Sequence, residues 1–372
     1  MKIGIVCYPT HGGSGVIASE LALGLAERGH EIHIVSYATP FRLRTFSQNV
    51  FVHEVEVASY PLFKYPPYAL GLATKLAEVA EEYHLDLIHA HYAVPHAASA
   101  YLAKKIMRTE KLKTITTLHG TDITLVGADK SFYRVIKFNI EESDGVTAVS
   151  KFLQRRTIDE FDIAREIRVI YNFVDTSRSQ GLDACAKERY APGGEKILMH
   201  ASNFRPVKRV SDVVRIFARV REKVPTKLLL AGEGPERLFV QQLVKELKLS
   251  EDVMFLGEQD FIEELLRCAD LFILPTEQES FGLVALEAHA CGVPVVGAAT
   301  GGLPEVVADG ETGFLLPVGE IARMADKACQ LLSNQELYED FSQRARERAV
   351  RCFDKHLIIP KYEAFYEEIL NR

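Results

Sequence analysis

Two glutamates with seven residues between them, Glu279 and Glu287 in "ESFGLVALE", are the most chemically suggestive pair in the sequence. The strand-like run "DLFILP" precedes them, a polar loop follows in which Ser280 is placed to cap, and "FGLVALEAHACG" reads as a helix ended by Gly292. Glu279 then stands in the loop, and Glu287 lies two turns inside a helix of Leu283, Val284, Leu286 and Ala288. A carboxylate on an apolar helix face is costly unless it has partners, and sugar hydroxyls would supply them. The amides of Phe281, Gly282 and Leu283 open the same helix and suit phosphate oxygens.

Three cations, Arg205, Lys208 and Arg209, crowd the loop "SNFRPVKRV" just ahead of another helix. A helix N-terminus is already positive, so cations there make sense around an anion such as a diphosphate. A solvated basic loop is the plain alternative. Earlier in the chain, "TLHGTD" puts His119 at a strand end beside Gly120, which leaves room for a ligand. The competing reading is a helix N-cap around Thr121 and Asp122.

A fourth motif, Gly13-x-Gly15-x-x-Ala18 after the apolar run Ile3 to Cys7, fits a dinucleotide-binding fingerprint. Pro9, Thr10 and His11 lengthen its turn, however, and the next strand ends in Ser36 and Tyr37, where NAD needs a carboxylate for its ribose. The loop Gly13-Ser14-Gly15 is therefore expected to hold carboxylate or diphosphate oxygens, not NAD.

Strand and helix patterns must position these residues. Before residue 150 the short apolar runs "KIGIVCY", "EIHIVSY", "VFVHEVEV", "LDLIHAHY", "KTITTLH" and "GVTAVS" alternate with helical stretches such as "GVIASELALGLAERG", which Gly29 closes. That rhythm predicts a parallel sheet with crossover helices. Periodicity lapses after "REIRVIYNFVD", and residues 175–194 read as a linker. A second series, "KILMHAS", "TKLLLAG", "DVMFLG", "DLFILP" and "VPVVGA", predicts a second doubly wound domain. The expected domains are therefore 1–174, 195–354 and a C-terminal helix at 355–372 that packs back on the first. Open α/β sheets bind ligands at the carboxyl ends of their strands, where each motif falls. Two such domains would face a central cleft, with a hinge near Asn172 to Asp175.

With 372 residues, 47% hydrophobic and 26% charged, two full cores are the default. A net charge of −7 without a basic run argues against nucleic acid. No apolar stretch is long enough to span a membrane, and "MKIGIVCYPTHGG" enters a strand directly, so a cytoplasmic chain is expected. The six cysteines show no metal-ligand spacing and read as small core residues. In "HAHYAVPH" (His89, His91, His96) strand alternation makes His89 and His91 neighbours on one face, but no third ligand is evident, so no metal is expected.

The E-x7-E pattern, with "ACGVPVVGAATGGLPEVV" and "DGETGFLLP", resembles the retaining GT-B glycosyltransferases of family 4 over essentially the whole chain. That resemblance implies two Rossmann-like domains, the first for the acceptor and the second for a nucleotide sugar. It implies that Glu279 contacts the transferred sugar, Glu287 the ribose, and Lys208 with Arg205 the diphosphate, and that His119 lies near the reacting sugar. Many members carry an arginine where Asn203 stands here, and Arg205 is the candidate replacement. Further stretches, "YPPY", "HAHYAVPHA", "TTLHGTDIT" and "YNF", are similar to members that move N-acetylglucosamine from UDP-N-acetylglucosamine to the hydroxyl of L-malate. The acceptor candidates are Ser14, Tyr92, Thr121 and Lys137, with Lys64 and Arg42 as weaker ones. The donor set is Gly13, Asn203, Ser280, Phe281, Gly282, Leu283 and Glu287. The resemblance also implies a same-face route in which the leaving phosphate helps deprotonate the acceptor, no cofactor, and a homodimer. A UDP-sugar 2-epimerase, which needs no acceptor, and a transferase with another acceptor remain the alternatives.

Overall fold

The computed structural model describes residues 1–10, 12–43, 46–57, 62, 64–124, 127, 129–178 and 186–372. The chain divides into two units, residues 1–172 with 356–372, and residues 173–355. His11, part of the lengthened glycine turn, and residues 179–185 of the expected linker, with Cys185, lie outside the described residues.

In the first unit seven parallel strands run β1 (Lys2–Val6), β2 (Glu31–Ser36), β3 (Val50–Glu54), β4 (Leu87–His91), β5 (Lys113–Leu118), β6 (Gly145–Ala148) and β7 (Arg168–Val169). Their order in the sheet is β3-β2-β1-β4-β5-β6-β7. Every residue of β1 after Lys2 and all of β4 are buried, as both faces of a parallel sheet must be when helices cover them. Ile3 and Ile5, with Leu21 and Leu25 of the helix Gly13–Glu27, are completely buried. That helix ends as its sequence requires: Gly29 takes φ +89° and donates to Ala26.

The second unit repeats the plan with β8 (Lys196–Ala201), β9 (Thr226–Ala231), β10 (Val253–Gly257), β11 (Leu271–Leu274), β12 (Val295–Ala298) and β13 (Gly313–Leu316), ordered β10-β9-β8-β11-β12-β13. Its core joins Phe204, Val214, Phe217, Leu230, Ile273, Met324 and Phe341. Two strands escape the periodicity. β7 has only two residues, inside the run where the pattern lapses, and β13 is a four-residue edge segment within "DGETGFLLP".

Strand order reverses between β1 and β4 in one sheet and between β8 and β11 in the other. Such switch points open a crevice at the carboxyl ends of the central strands.

The helix Lys355–Leu370 runs straight through Pro360, starting earlier than "LIIPKYEAFYEEILNR" suggests. Its residues beyond Lys355 belong to the first unit. Ile359 fills the space over Gly24, where a Cβ would meet its Cδ1 at 2.1 Å. Glu363 accepts from Arg28 at 2.6 Å and pairs with His30 at 2.8 Å, while the Tyr366 hydroxyl meets His89 Nδ1 at 2.7 Å. Cys7, Cys291, Cys329 and Cys352 carry free thiols, and Cys268 is buried, as a core residue should be. Among the described residues no helix is long and apolar enough to cross a membrane. Nor is there, among them, a group of three or more His, Cys, Asp or Glu able to hold a metal.

Candidate functional site

At the switch point of the second unit, the loops after β8 and β11 are stitched together. The Glu277 amide donates to the Val207 carbonyl at 2.8 Å, and Lys208 Nζ donates to Glu279 Oε2 at the same distance. Both side chains are largely covered, Lys208 at 22% and Glu279 at 13% exposure, so little water competes for the pair. A third loop backs Glu279. Gly302 N donates to the Glu279 carbonyl at 2.8 Å, and Thr300 Oγ1 to that of Glu277 at 3.0 Å.

Glycine is required where these loops cross. Gly301 has φ +60°, and a Cβ there would lie 1.8 Å from the Glu279 carbonyl oxygen. Behind the β8 loop, a Cβ on Gly232 or Gly234 would come within 1.9 Å of Ser202 O or 2.0 Å of Asn203 O. His200 fixes the strand end: its buried ring reaches the Ile273 carbonyl through Nδ1 at 2.8 Å and Ser202 Oγ through Nε2 at 2.9 Å. Burial pushes its pKa down to about 4.

Of the other second-unit candidates, Arg205 and Asn203 are exposed on the loop, and Glu287 is partly covered in the helix Leu283–Ala290. Ser280 does not cap that helix. Gly282 is the N-cap, in the left-handed region at φ +94°, because the chain must turn sharply after Phe281 to enter the helix. Phe281 is buried, edge-on to Phe353 with ring centres 5.7 Å apart, while Leu283 is partly covered. Arg209, the third cation of the loop, is turned to Asp212 at 2.6 Å.

The first unit gathers aromatic and imidazole rings at the ends of β1, β4 and β5. His91 Nδ1 and His119 Nε2 are 2.8 Å apart, their ring planes within 24° of each other and meeting edge to edge, and Tyr92 lies 5.4 Å from His119 and 5.6 Å from Tyr8. His89, His91 and His96 are completely buried, and His119 is half-buried. Burial lowers all four: His89 and His119 to about 3, His96 to about 4, and His91 well below the ordinary value, where the neighbouring imidazoles add to the effect. His89 and His91 do share one face of β4, their rings 4.4 Å apart.

Asp122 is the residue the sequence undervalues. In place of a simple helix cap, its buried carboxylate accepts from three amides: Gly120 at 2.8 Å, His119 at 3.3 Å and Ala93 at 3.1 Å. It thereby ties the β4 and β5 loops together. Burial outweighs these bonds and raises its pKa to about 6. Its one advance signal is an acidic residue three positions after a strand-end histidine. Thr121, beside it, opens the short helix Thr121–Thr124 and is partly covered.

Gly13 is the exposed first residue of its helix, and Ser14 is buried. The Gly15 amide donates to the Gly12 carbonyl at 3.0 Å. A Cβ on Gly15 would lie 2.4 Å from Thr10 O, which explains the glycine by backbone crowding. Lys137 stands apart from the ring cluster's bonds: its ammonium donates to the Asp162 carbonyl at 2.8 Å and to its carboxylate at 3.4 Å, closing the C-terminus of the helix Lys151–Phe161. Arg42 is paired with Glu20 at 3.0 Å, and Lys64 sits over the Tyr65 ring.

Comparison with known proteins follows both units. Residues 11–178 match the model of Glycosyltransferase Family 4, and residues 186–348 that of Glycosyl transferases group 1. The chain is 49% identical over 373 aligned positions to N-acetyl-alpha-D-glucosaminyl L-malate synthase of Bacillus anthracis, covering 100% of this chain and 98% of that protein. It is 30% identical to a D-inositol 3-phosphate glycosyltransferase of Mycobacteroides abscessus, over 91% of this chain and 80% of the relative. Among solved structures, Anabaena HepE in complex with UDP and glucose superposes with a TM-score of 0.85 at 22% identity, covering 99% of this chain and 100% of that one. The two parallel sheets, the loops at their switch points and these matches lead to one assignment: the chain belongs to the family 4, group 1 glycosyltransferases and has their GT-B fold.

Proposed function

We propose that this enzyme transfers N-acetylglucosamine from UDP-N-acetylglucosamine to the hydroxyl of L-malate, with retention at the anomeric carbon. Its principal support is the 49% identity, along the full length, to a protein named N-acetyl-alpha-D-glucosaminyl L-malate synthase. The second unit takes the donor. Lys208 and Arg205 stabilise the diphosphate as negative charge grows on the leaving oxygen, an interaction that strengthens toward the transition state. Glu279 accepts from hydroxyls of the sugar, Glu287 from those of the ribose, and Asn203, Ser280 and the amides of Phe281, Gly282 and Leu283 complete the donor contacts, with Gly13 on the first unit. The leaving phosphate takes the acceptor proton, and the reaction needs no metal and no covalent nucleophile.

The first unit takes the dianionic acceptor through Ser14, Tyr92 and Thr121, beside His119. Lys137 joins them by exchanging its bonds to Asp162. The proposal places the enzyme in the cytoplasm as a homodimer, the commonest closed assembly.

Purified protein incubated with UDP-N-acetylglucosamine, with and without L-malate, tests the reading through UDP release and product mass. Malate-dependent UDP with a product of matching mass supports it. Donor loss to an isomer of equal mass without malate would make the enzyme an epimerase, and UDP release with D-inositol 3-phosphate but not malate would move it to the other acceptor class.

A further inference from the structure

His91 and His119 share one hydrogen bond between two imidazoles kept neutral by burial, so a single proton lies between His91 Nδ1 and His119 Nε2. Two arrangements satisfy the 2.8 Å contact. With the proton on His91 Nδ1, His91 keeps a bare Nε2 and His119 must carry its own proton on Nδ1. With the proton on His119 Nε2, His91 must carry an N–H at Nε2.

His91 Nε2 decides between them, because it is buried and, among the described residues, has no hydrogen-bond partner. A buried N–H without an acceptor is rarer and more costly than a lone pair without a donor. His96 shows the same solution in the same cluster. Its Nδ1 meets the His91 carbonyl, which can only accept, so His96 carries its proton on Nδ1, and its buried, partnerless Nε2 is a bare lone pair. His91 therefore donates, and His119 accepts at Nε2.

From this we infer that His91 is a positioning residue that fixes the tautomer of His119, so that His119 offers an N–H at Nδ1 to a substrate oxygen. The part of this concerning substrate rests on the transferase reading above. His119 is the half-buried member of the cluster, while His89, His91 and His96 are sealed, so its remaining nitrogen is the one a ligand reaches. A neutral N–H suits an oxygen that gains negative charge during transfer, and it loses no proton in doing so. The opposite tautomer would present a lone pair to that oxygen and repel it.

Side-chain ¹⁵N spectra of the histidine-labelled full chain test the tautomer directly, with His119 assigned by its absence in His119→Asn. The result expected is an Nδ1-protonated, neutral His119. An Nε2-protonated His119 overturns the inference whatever the enzyme turns over. Kinetics give the second arm. His91→Leu removes the donor, and kcat should fall about 10- to 100-fold, the usual range for an outer partner that orients a working imidazole. His91→Asn, whose Nδ2–H can replace His91 Nδ1–H, should restore most of that loss and the Nδ1–H spectrum. An equal loss in both variants, with thermal melts showing both folded, would also overturn it. The KM for UDP-N-acetylglucosamine and that for L-malate, measured separately, show which substrate supplies the oxygen. If wild-type protein shows the predicted tautomer but no malate-dependent UDP release, the acceptor reading fails and the tautomer assignment stands.

Discussion

Lys208 Nζ lies 2.8 Å from Glu279 Oε2, so the cation assigned to the diphosphate and the carboxylate assigned to the sugar are direct partners. Seventy-one positions separate them in sequence, and the adjacency of β8 and β11 joins them. Each charge fixes the rotamer of the other in a site where little water competes.

Replacing Lys208 with Ala should therefore lower kcat about 10²- to 10³-fold, the range for losing one preorganised charge stabiliser. The KM for L-malate should stay within a few-fold of the wild-type value. Steady-state kinetics with malate varied at saturating donor checks this. Equal losses in kcat and in malate affinity would remove Lys208 from the leaving-group role.

Gly301 and Gly310 both have positive φ, +60° and +75°, but only Gly301 is crowded. Gly310→Ala meets nothing within 4 Å and should cost about 1 to 2 kcal/mol from backbone strain alone. Gly301→Ala must also displace the Glu279 carbonyl, so it should destabilise more and raise the donor KM. Urea denaturation and donor titrations of the two variants side by side separate strain from misplacement of Glu279. Matching stabilities and donor KM values would show that the loop relaxes freely.

Acid should destabilise the fold from a pH set by its buried histidines. His89, His96, His200 and His289 hold pKa values of about 3 to 4, chiefly through burial, while the unfolded chain takes up their protons near 6.5. Their stabilising contribution is complete above pH 6.5 and is lost as pH falls toward 4 and 3. Each removes up to about 1.4 kcal/mol per pH unit across that window. Asp122 acts in the opposite sense. With its pKa raised to about 6, its contribution is present below about 3.8 and lost as pH rises through 6, so it offsets one histidine between those limits. Urea midpoints should fall steeply from pH 6.5 to 5, and a flat profile would mean these imidazoles are protonated in the fold.

Asp122→Asn tests the tie between the β4 and β5 loops. An amide cannot accept at both ends, so one of the Ala93, His119 and Gly120 amides would face another N–H. A loss of about 1 to 3 kcal/mol is expected for a buried donor left unmet. Chemical denaturation at pH 7.5 reads it, and wild-type stability would show that the carboxylate is not the tie.

Much of this architecture is legible in the sequence because parallel strands buried on both faces read as short apolar runs, and the chemistry-bearing residues follow them directly. His119 after β5, Lys208 after β8 and Glu279 after β11 are found this way. Pairings are not legible, since they depend on register. His91 lies opposite Thr117 across β4 and β5, and only that alignment brings it against His119 two positions on. The two-residue β7 is too short for periodicity to register. The helix start at Gly282 depends on a backbone angle, and a serine two positions earlier imitates a cap. Asp122 looks like an ordinary turn acid until three amides are seen to converge on it.

Proton NMR of the reaction mixture with UDP-N-acetylglucosamine and L-malate tests retaining transfer to malate most directly. The account predicts a new anomeric signal with the small coupling of an α-glycoside, appearing only with malate and in step with UDP. A large diaxial coupling would contradict retention, and UDP formed without any malate glycoside would contradict the acceptor.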